Sequence, residues 1–515
     1  MAGVRRQLLI GLDAAEWDLV RQWTAAGKLP TFKRLMDEGT QAELAGPSDQ
    51  LPDTAWACLL SGLNPAHLGR YFYAQHDPST GGMHSMDDGA FGVRFLWEQP
   101  GASSLRIGVL DAPHVTVAAP INGFHLARWG SHASRDRPAA VPPSLLDQVN
   151  RQFGRHPVGE CDQAGGSPSA RKALRDRLLA GVRVHGALFR HFARQSSWDI
   201  LIAAFAASHC AGHLYWHYMD PSHPRHDPAD PHQLADTIEQ VYRAIDSEIA
   251  ALLGAVGDGV RVYVVAANGM GPLYHASWNL PEMLDSWGYG GQGAAPSRTD
   301  TRRAGRNMWR LLRMTVPGAM QETIRRALPE RIQNELIFRY YRGNRDWSGA
   351  RAFAVPNNDG VGAIRINLKG RDHNGLVDPT EYEPICDDIC EALAELRDPV
   401  SGRPVARRIS RLQRELRGPH VELLPDITVQ WEQSFPWNLV QSPRFGTLEL
   451  RRQDSRTGTH TAHGFLLASG DGIAKGARLS GATIYDIVPT VLSAAGARVL
   501  ECYQGHPLFS DSASA

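Results

Sequence analysis

Two imidazoles four residues apart, His209 and His213, follow directly on the apolar run Asp199-Ile200-Leu201-Ile202-Ala203-Ala204-Phe205. A buried strand that empties through a turn into a helix presents residues i and i+4 on one face, the spacing with which a single element offers two ligands to one metal. Metal-assisted chemistry is what this pattern suits; a pair of satisfied structural histidines is the plain alternative. A carboxylate, Asp13, ends the apolar run Leu8-Leu9-Ile10-Gly11-Leu12. The C-terminal end of a first strand is where open α/β sheets keep their ligands, although capping the helix opened by Ala14-Ala15-Glu16-Trp17 would account for Asp13 equally well. Pro52-Asp53-Thr54 stands before the apolar stretch Ala55 to Leu60. It reads as a helix start with Asp53 or Thr54 as the cap, and a helix N-terminus is also a natural anion site.

The elements that must position these residues are legible as hydrophobic runs. Leu8 to Leu12, Ile200 to Phe205 and Arg261 to Ala266 read as buried parallel strands, and Leu105 to Leu110 as a fourth. Ala170 to Ala193 has a helical pattern, and Pro231 to Leu253 carries Ile238, Val241, Ile245 and Ile249 on one face, a stripe that suits packing on a core. Strands alternate with a helix, Glu383 to Leu396, between Ala352 and about Val429; Gly464 to Gly470 is a closing strand, and Ile484 to Thr490 opens a last helix. Residues 290–350 are Arg-rich and helical in pattern, with Trp309, Leu311, Leu312 and Met314. They suggest an insertion over the ligand-binding edge, whose charge could meet an anionic substrate or simply face solvent. The expected fold is α/β, a mostly parallel sheet sandwiched by helices with an inserted cap or lobe. Residues 1–285 would form the first part of the core, 286–350 the helical insertion, 351–509 the second part of the core and 510–515 a frayed tail.

Composition narrows the partners. The chain has 515 residues, 43% hydrophobic and 21% charged, enough to bury a large core. Lys+Arg and Asp+Glu both total 54, so there is no bulk field to attract a nucleic-acid polymer or an anionic membrane. The expected partner is a small anionic metabolite recognised locally, and oligomeric state is left open. The first apolar run is too short for a signal peptide, and no segment offers roughly 18 uninterrupted apolar residues, so a soluble, cytoplasmic protein is expected. Six scattered cysteines, Cys58, Cys161, Cys210, Cys386, Cys390 and Cys502, favour reduced thiols.

Four phrases occur in a recognisable order: Gly11-Leu12-Asp13, Leu60-Ser61-Gly62-Leu63-Asn64-Pro65, Asn268-Gly269-Met270-Gly271-Pro272-Leu273 and Gly458-Thr459-His460. In this the chain resembles, over nearly its whole length, the nucleotide pyrophosphatase/phosphodiesterase-like members of the alkaline phosphatase superfamily. Trp216 to Pro224 and Gly362 to Arg371 are also similar to bacterial members. The resemblance implies an alkaline-phosphatase-like fold and a hydrolytic site in which two zinc ions lie about 4 Å apart while a threonine or serine at a helix N-terminus attacks phosphorus. In that family one metal takes an Asp-x-x-x-His pair and a late His. The other takes the first-strand Asp, the nucleophile and an adjacent Asp-His pair. Asp13, His213 and His460 fall on ligand positions and keep ligand chemistry. His209 stands where the family has aspartate, Ala267 and Asn268 stand where it has Asp-His, and Pro52 stands at the nucleophile, with Thr54 the nearest hydroxyl.

The mapping therefore implies three imidazoles, His209, His213 and His460, at one divalent transition metal: zinc first, with iron or copper as alternatives. Asp13 counts as a further ligand, although the family geometry places it with the second metal. Three neutral imidazoles leave the metal its full charge and an open coordination position. Asn268 could hold a substrate oxygen through its amide, and Asp53, Thr54 and the helix N-terminus around them are catalytic candidates. His217, His223, His226, His275 and His463 lie near the mapped site in sequence; packing or a loop hydrogen bond explains each alone, and His217 is the one expected as a substrate contact. Tyr215 and Trp216 are expected in the core. Two function classes remain. One is a single-metal enzyme acting on a phosphoryl or sulfuryl ester or another small anionic metabolite, a hydrolase or a repurposed transferase-type catalyst. The other is a non-catalytic descendant that keeps the fold for binding.

Overall fold

The computed structural model describes residues 6–85, 93–115, 117, 121–130, 138–159, 167–195, 197–274, 279–291, 347, 349–450 and 456–509. The expected insertion at 286–350 lies for the most part outside the described residues, and the tail at 510–515 entirely so.

Among the described residues a nine-stranded sheet organises the fold, in the order Ala477–Leu479, Thr40–Leu44, Gly464–Ser469, Arg261–Ala266, Gln7–Leu12, Ile200–Phe205, Ile107–Leu110, Gly123–Ala127, Ala139–Val141. Gln7–Leu12 is parallel to both its neighbours, and the parallel run continues through Ile107–Leu110 to Gly123–Ala127. Gly464–Ser469 and Ala139–Val141 oppose the strands beside them, so the sheet is mixed but mostly parallel. The apolar runs follow from this burial. Leu8, Ile10 and Leu12 point to one face, where they pack with Leu201, Ala203 and Phe205, while Leu9 points to the other with Ile200 and Ile202. Strands covered on both faces need apolar side chains at every position, which is why they read as continuous rather than alternating runs.

Helices cover both faces. One layer contains Trp17–Ala25, Pro168–Gln195, Ala207–Met219 and Thr237–Val256; the other contains Ala55–Ser61 and Ile487–Ala494. The stripe Ile238, Val241, Ile245 and Ile249 is fully buried in the first layer. A smaller antiparallel sheet, Ala352–Val355, Val361–Ile366, Ile427–Trp431 and Ala406–Arg411, packs with the Tyr382–Ala394 helix around its own apolar cluster. Among the described residues no helix is long and apolar enough to cross a membrane.

Candidate metal centre and active site

Three adjacent parallel strands end together. Leu12 pairs with Phe205, and Gly11 with Val265, so the residues just past them arrive at one edge: Asp13 from the first strand, the Ala207–Met219 helix from the second, and Ala267 and Asn268 from the third. Only Ala206 separates strand Ile200–Phe205 from its helix, and residues Ser208 to His217 are all buried, which seats the imidazoles inside the molecule. His460 comes from a two-stranded antiparallel ribbon, Gly269–Pro272 against Gly458–Thr461, in which His460 is opposite Met270.

Helix and ribbon approach closely because both carry glycine where they touch. A Cβ on Gly212 would lie 2.5 Å from Met270 Cγ, and one on Gly458 would lie 2.3 Å from the Gly212 carbonyl oxygen. The contact is tied by the Thr457 N–H, which donates to the His213 carbonyl at 2.7 Å.

His209, His213 and His460 each offer a ring nitrogen, and these atoms all lie within 4.8 Å of one another. His209 is 4% exposed and His213 1%, so both have left water. His213 Nδ1 sits 2.7 Å from the Gly458 carbonyl oxygen. A carbonyl can only accept, so Nδ1 carries the proton and Nε2 presents its lone pair, the tautomer a metal ligand needs. That Nε2 faces His209 Nε2 at 3.2 Å. Two nitrogens so placed share either a proton or a cation, and two imidazoles bound tetrahedrally to one zinc at about 2.0–2.1 Å stand about 3.3 Å apart. The trio fits a single metal ion.

The other mapped residues surround this trio without all joining it. Asp13, 2% exposed, is not among the three within that span; its Oδ1 accepts the Trp56 indole N–H at 2.8 Å, which draws the carboxylate toward the Ala55–Ser61 helix. The Asn268 amide meets His460 Nδ1 at 3.0 Å, and its Oδ1 is buried with no hydrogen-bond partner among the described residues. Asp53 pairs with Arg70 at 3.1 Å, both nearly buried. Burial alone would raise this carboxyl, but the Arg70 charge, with His114 and His460 beyond, overcomes it and holds the group below the usual carboxylate range. Thr54 is fully buried and its hydroxyl donates to the Leu51 carbonyl at 2.7 Å. Ala267 brings no ligand atom, and Pro52 brings no hydroxyl.

His217 lies one turn beyond His213 and outside the trio. Its Nδ1 meets Thr457 Oγ1 at 3.0 Å, and burial, helped by Arg225 and His223, pushes its pKa down to about 3, so it is a neutral ring packed on Tyr218. His223 meets the Leu273 carbonyl and His226 the His217 carbonyl, the loop roles expected of them; Tyr215 and Trp216 are buried in the core. His275 lies outside the described residues. Sequence reasoning missed Trp56, Arg70 and Glu16, which hold the site from behind. Glu16, at the start of a helix, carried no signal beyond that of an ordinary first-turn acid.

The imidazole cluster lies at the C-terminal edge of a mostly parallel α/β sheet, the edge at which such folds bind their ligands. The model of the type I phosphodiesterase / nucleotide pyrophosphatase family matches residues 7–464, and the chain belongs to that family. Its fold is similar to that of phosphonoacetate hydrolase from Sinorhizobium meliloti 1021 in complex with phosphonoformate (TM-score 0.52, 15% identity, 96% of each chain covered). It is also similar to murine ectonucleotide pyrophosphatase/phosphodiesterase 5 (TM-score 0.50, 12% identity, 98% of this chain and 100% of that one) and to an inactive form of that protein in complex with AMP (TM-score 0.51, 12% identity, the same coverage). No curated protein sequence matches the chain.

Proposed function

We propose that this chain is a single-metal enzyme acting on a phosphoryl ester or a related small anionic ester, having lost the two-metal arrangement of its family. The observation that carries this reading is the histidine trio, with the His213 tautomer set by Gly458 so that its Nε2 faces His209. His209, His213 and His460 would hold the metal, zinc first and iron or copper otherwise. The metal would supply a Lewis acid for a substrate oxygen.

The remaining roles fall to protein groups. Asp53, kept ionised by Arg70, is a poor proton acceptor near neutral pH; its role is electrostatic, a fixed negative charge that favours a cation beside His460. Asn268 holds His460 through its amide; with the amide turned so that its oxygen accepts from His460 Nδ1–H, Nε2 is left to the metal and the NH2 would donate to a substrate oxygen. Asp13, drawn to Trp56, borders the site as an anionic wall. Thr54 can attack only by giving up its bond to Leu51, so water is the proposed nucleophile.

The test is a panel of small anionic esters, including phosphodiesters, sulfate esters, nucleotide esters related to AMP, and phosphonoacetate, assayed on chelator-stripped and zinc-reloaded protein. Turnover should appear only on reloading and vanish in His213→Ala and His460→Ala. Generic nitrophenyl phosphodiesters should turn over about 100-fold or more slowly than in two-metal relatives, because one charged partner of the in-line displacement is missing. Fast turnover that is lost in Thr54→Ala would overturn the proposal and make Thr54 the nucleophile. Metal-dependent binding of these anions without turnover would favour the non-catalytic descendant.

A further inference from the structure

Glu16 is a buried carboxylate, 5% exposed, that does not belong to the histidine trio. Its oxygens are fully engaged. Oε2 accepts the Met270 backbone N–H at 3.0 Å and the Thr461 hydroxyl at 2.9 Å, one from each strand of the ribbon. Oε1 accepts the Asp18 N–H at 3.2 Å and faces His463 Nδ1 at 3.4 Å. The Glu16 N–H in turn donates to the Tyr242 hydroxyl at 2.7 Å, from the Thr237–Val256 helix. Gly269 makes room for this arrangement: a Cβ there would lie 2.3 Å from Oε2 and 2.5 Å from the Thr461 oxygen.

Met270 is opposite His460 in the ribbon, and Thr461 follows His460 in the chain. The carboxylate therefore bridges both strands beside the one imidazole of the trio that does not come from the Ala207–Met219 helix. A two-stranded ribbon of four residues a side is not stable alone, and its position must be set by what it is tied to. One tie runs to the helix, through Thr457 and His213. Besides the contacts of Asn268 with His460 and of Thr459 with Asn358, a further tie runs through Glu16 to the first strand's loop, three residues past Asp13.

We infer that Glu16 is a positioning residue that sets His460 against His209 and His213, so that metal affinity depends on a carboxylate that never touches the metal. A site of three ligands needs each nitrogen placed within about 0.5 Å, and Glu16 supplies a hydrogen bond to each strand of the ribbon that carries His460. The inference rests on the three-histidine reading of the site.

The experiment uses the full chain, stripped with chelator and titrated with zinc against a competing indicator, and with cobalt(II) for the visible band that reports ligand geometry. Glu16→Ala should weaken zinc binding about 10- to 100-fold and shift the cobalt band, the range seen when groups behind metal ligands are removed. Glu16→Gln keeps the shape and an acceptor oxygen and should stay within a few-fold of wild type. Should Glu16→Ala fail to fold, Thr461→Val, which removes a single bond to the carboxylate, carries the test with a several-fold loss. A purely structural carboxylate is represented by Asp246, which accepts the Thr31 and Phe32 N–H groups at 3.2 and 2.9 Å. Asp246→Ala should lower the melting temperature without changing the zinc constant. Wild-type zinc affinity and an unshifted cobalt band in Glu16→Ala, or in Thr461→Val where Glu16→Ala does not fold, would overturn the inference while leaving the trio intact. Equal zinc binding by wild type and His213→Ala would overturn the trio itself.

Discussion

Removing His213 should abolish a zinc-dependent rise in melting temperature, and the size of that rise can be worked out in advance. A ligand that binds only the folded state at about 100 times its dissociation constant stabilises it by about 2.7 kcal/mol. Unfolding entropy near about 2.1 cal/mol/K per residue gives about 1 kcal/mol/K for a chain of 515 residues. The wild-type protein should therefore melt about 2 to 3 °C higher when zinc-loaded, and more if the antiparallel lobe melts separately, since the unit holding the site is then smaller. The assay is scanning calorimetry on chelator-stripped protein with and without zinc, paired with elemental analysis of the desalted complex. His213→Ala loses a ligand whose Nε2 stands 3.2 Å from His209 Nε2, and leaves two imidazoles that no longer chelate from one helix. Its melting temperature without zinc will also change, because the Gly458 carbonyl loses its donor, so the zinc-induced difference is the quantity to compare. Stoichiometry should be about one ion per chain, since Ala267 strips the second family site of a ligand. Two ions per chain, or the same zinc-induced rise in His213→Ala as in wild type, would refute the reasoning.

Other outcomes can be checked alongside. Asp426 is fully buried and pairs with Arg371 at 2.6 Å while accepting the Tyr382 hydroxyl at 2.7 Å; Asp426→Asn leaves the Arg371 charge short of a partner and should cost about 3–5 kcal/mol in urea unfolding of the lobe. Gly212→Ala gains about 1 kcal/mol of helix propensity but drives a methyl to 2.5 Å from Met270 Cγ; the overpacking, about 1–3 kcal/mol, should exceed the gain and loosen zinc binding, and an unchanged zinc constant would count against the helix–ribbon contact. His463, half-exposed, has its pKa raised by Glu16, so its contribution to stability is complete below the unfolded value of about 6.5 and is lost as pH rises through the raised folded value. The melting-temperature deficit of His463→Ala should thus be seen at about pH 5.5 and vanish at about pH 9; a deficit that grows with pH would be the wrong sign.

What could be read from the sequence, and what could not, follows the distance over which each signal acts. The strands announced themselves because burial on both faces forces every position to be apolar, and His209 with His213 needed only one helix to be brought together. The ribbon offered no such pattern. Gly269–Pro272 and Gly458–Thr461 are four residues each, rich in glycine, and they meet from far apart in the chain; the amide of Asn268 reaches a ring 192 residues away. His460 was visible only through resemblance. Thr54 is the opposite case, a residue whose type suggested a role but whose side-chain direction the sequence could not give. A hydroxyl next to the family's nucleophile position invited a catalytic role, yet the turn Pro52–Thr54 closes that hydroxyl onto Leu51, and which way a side chain points within a single turn is not written in residue type. Glu16 combines both problems: its spacing from Asp13 looks like an ordinary first helical turn, and its partners arrive from segments more than 250 residues further on. A buried carboxylate accepting from two strands of a marginal ribbon is expensive to desolvate unless every donor is in place. Each donor to Glu16 should therefore count toward the placement of His460, and under the proposed reading the metal affinity would depend on a residue that the family pattern does not mark.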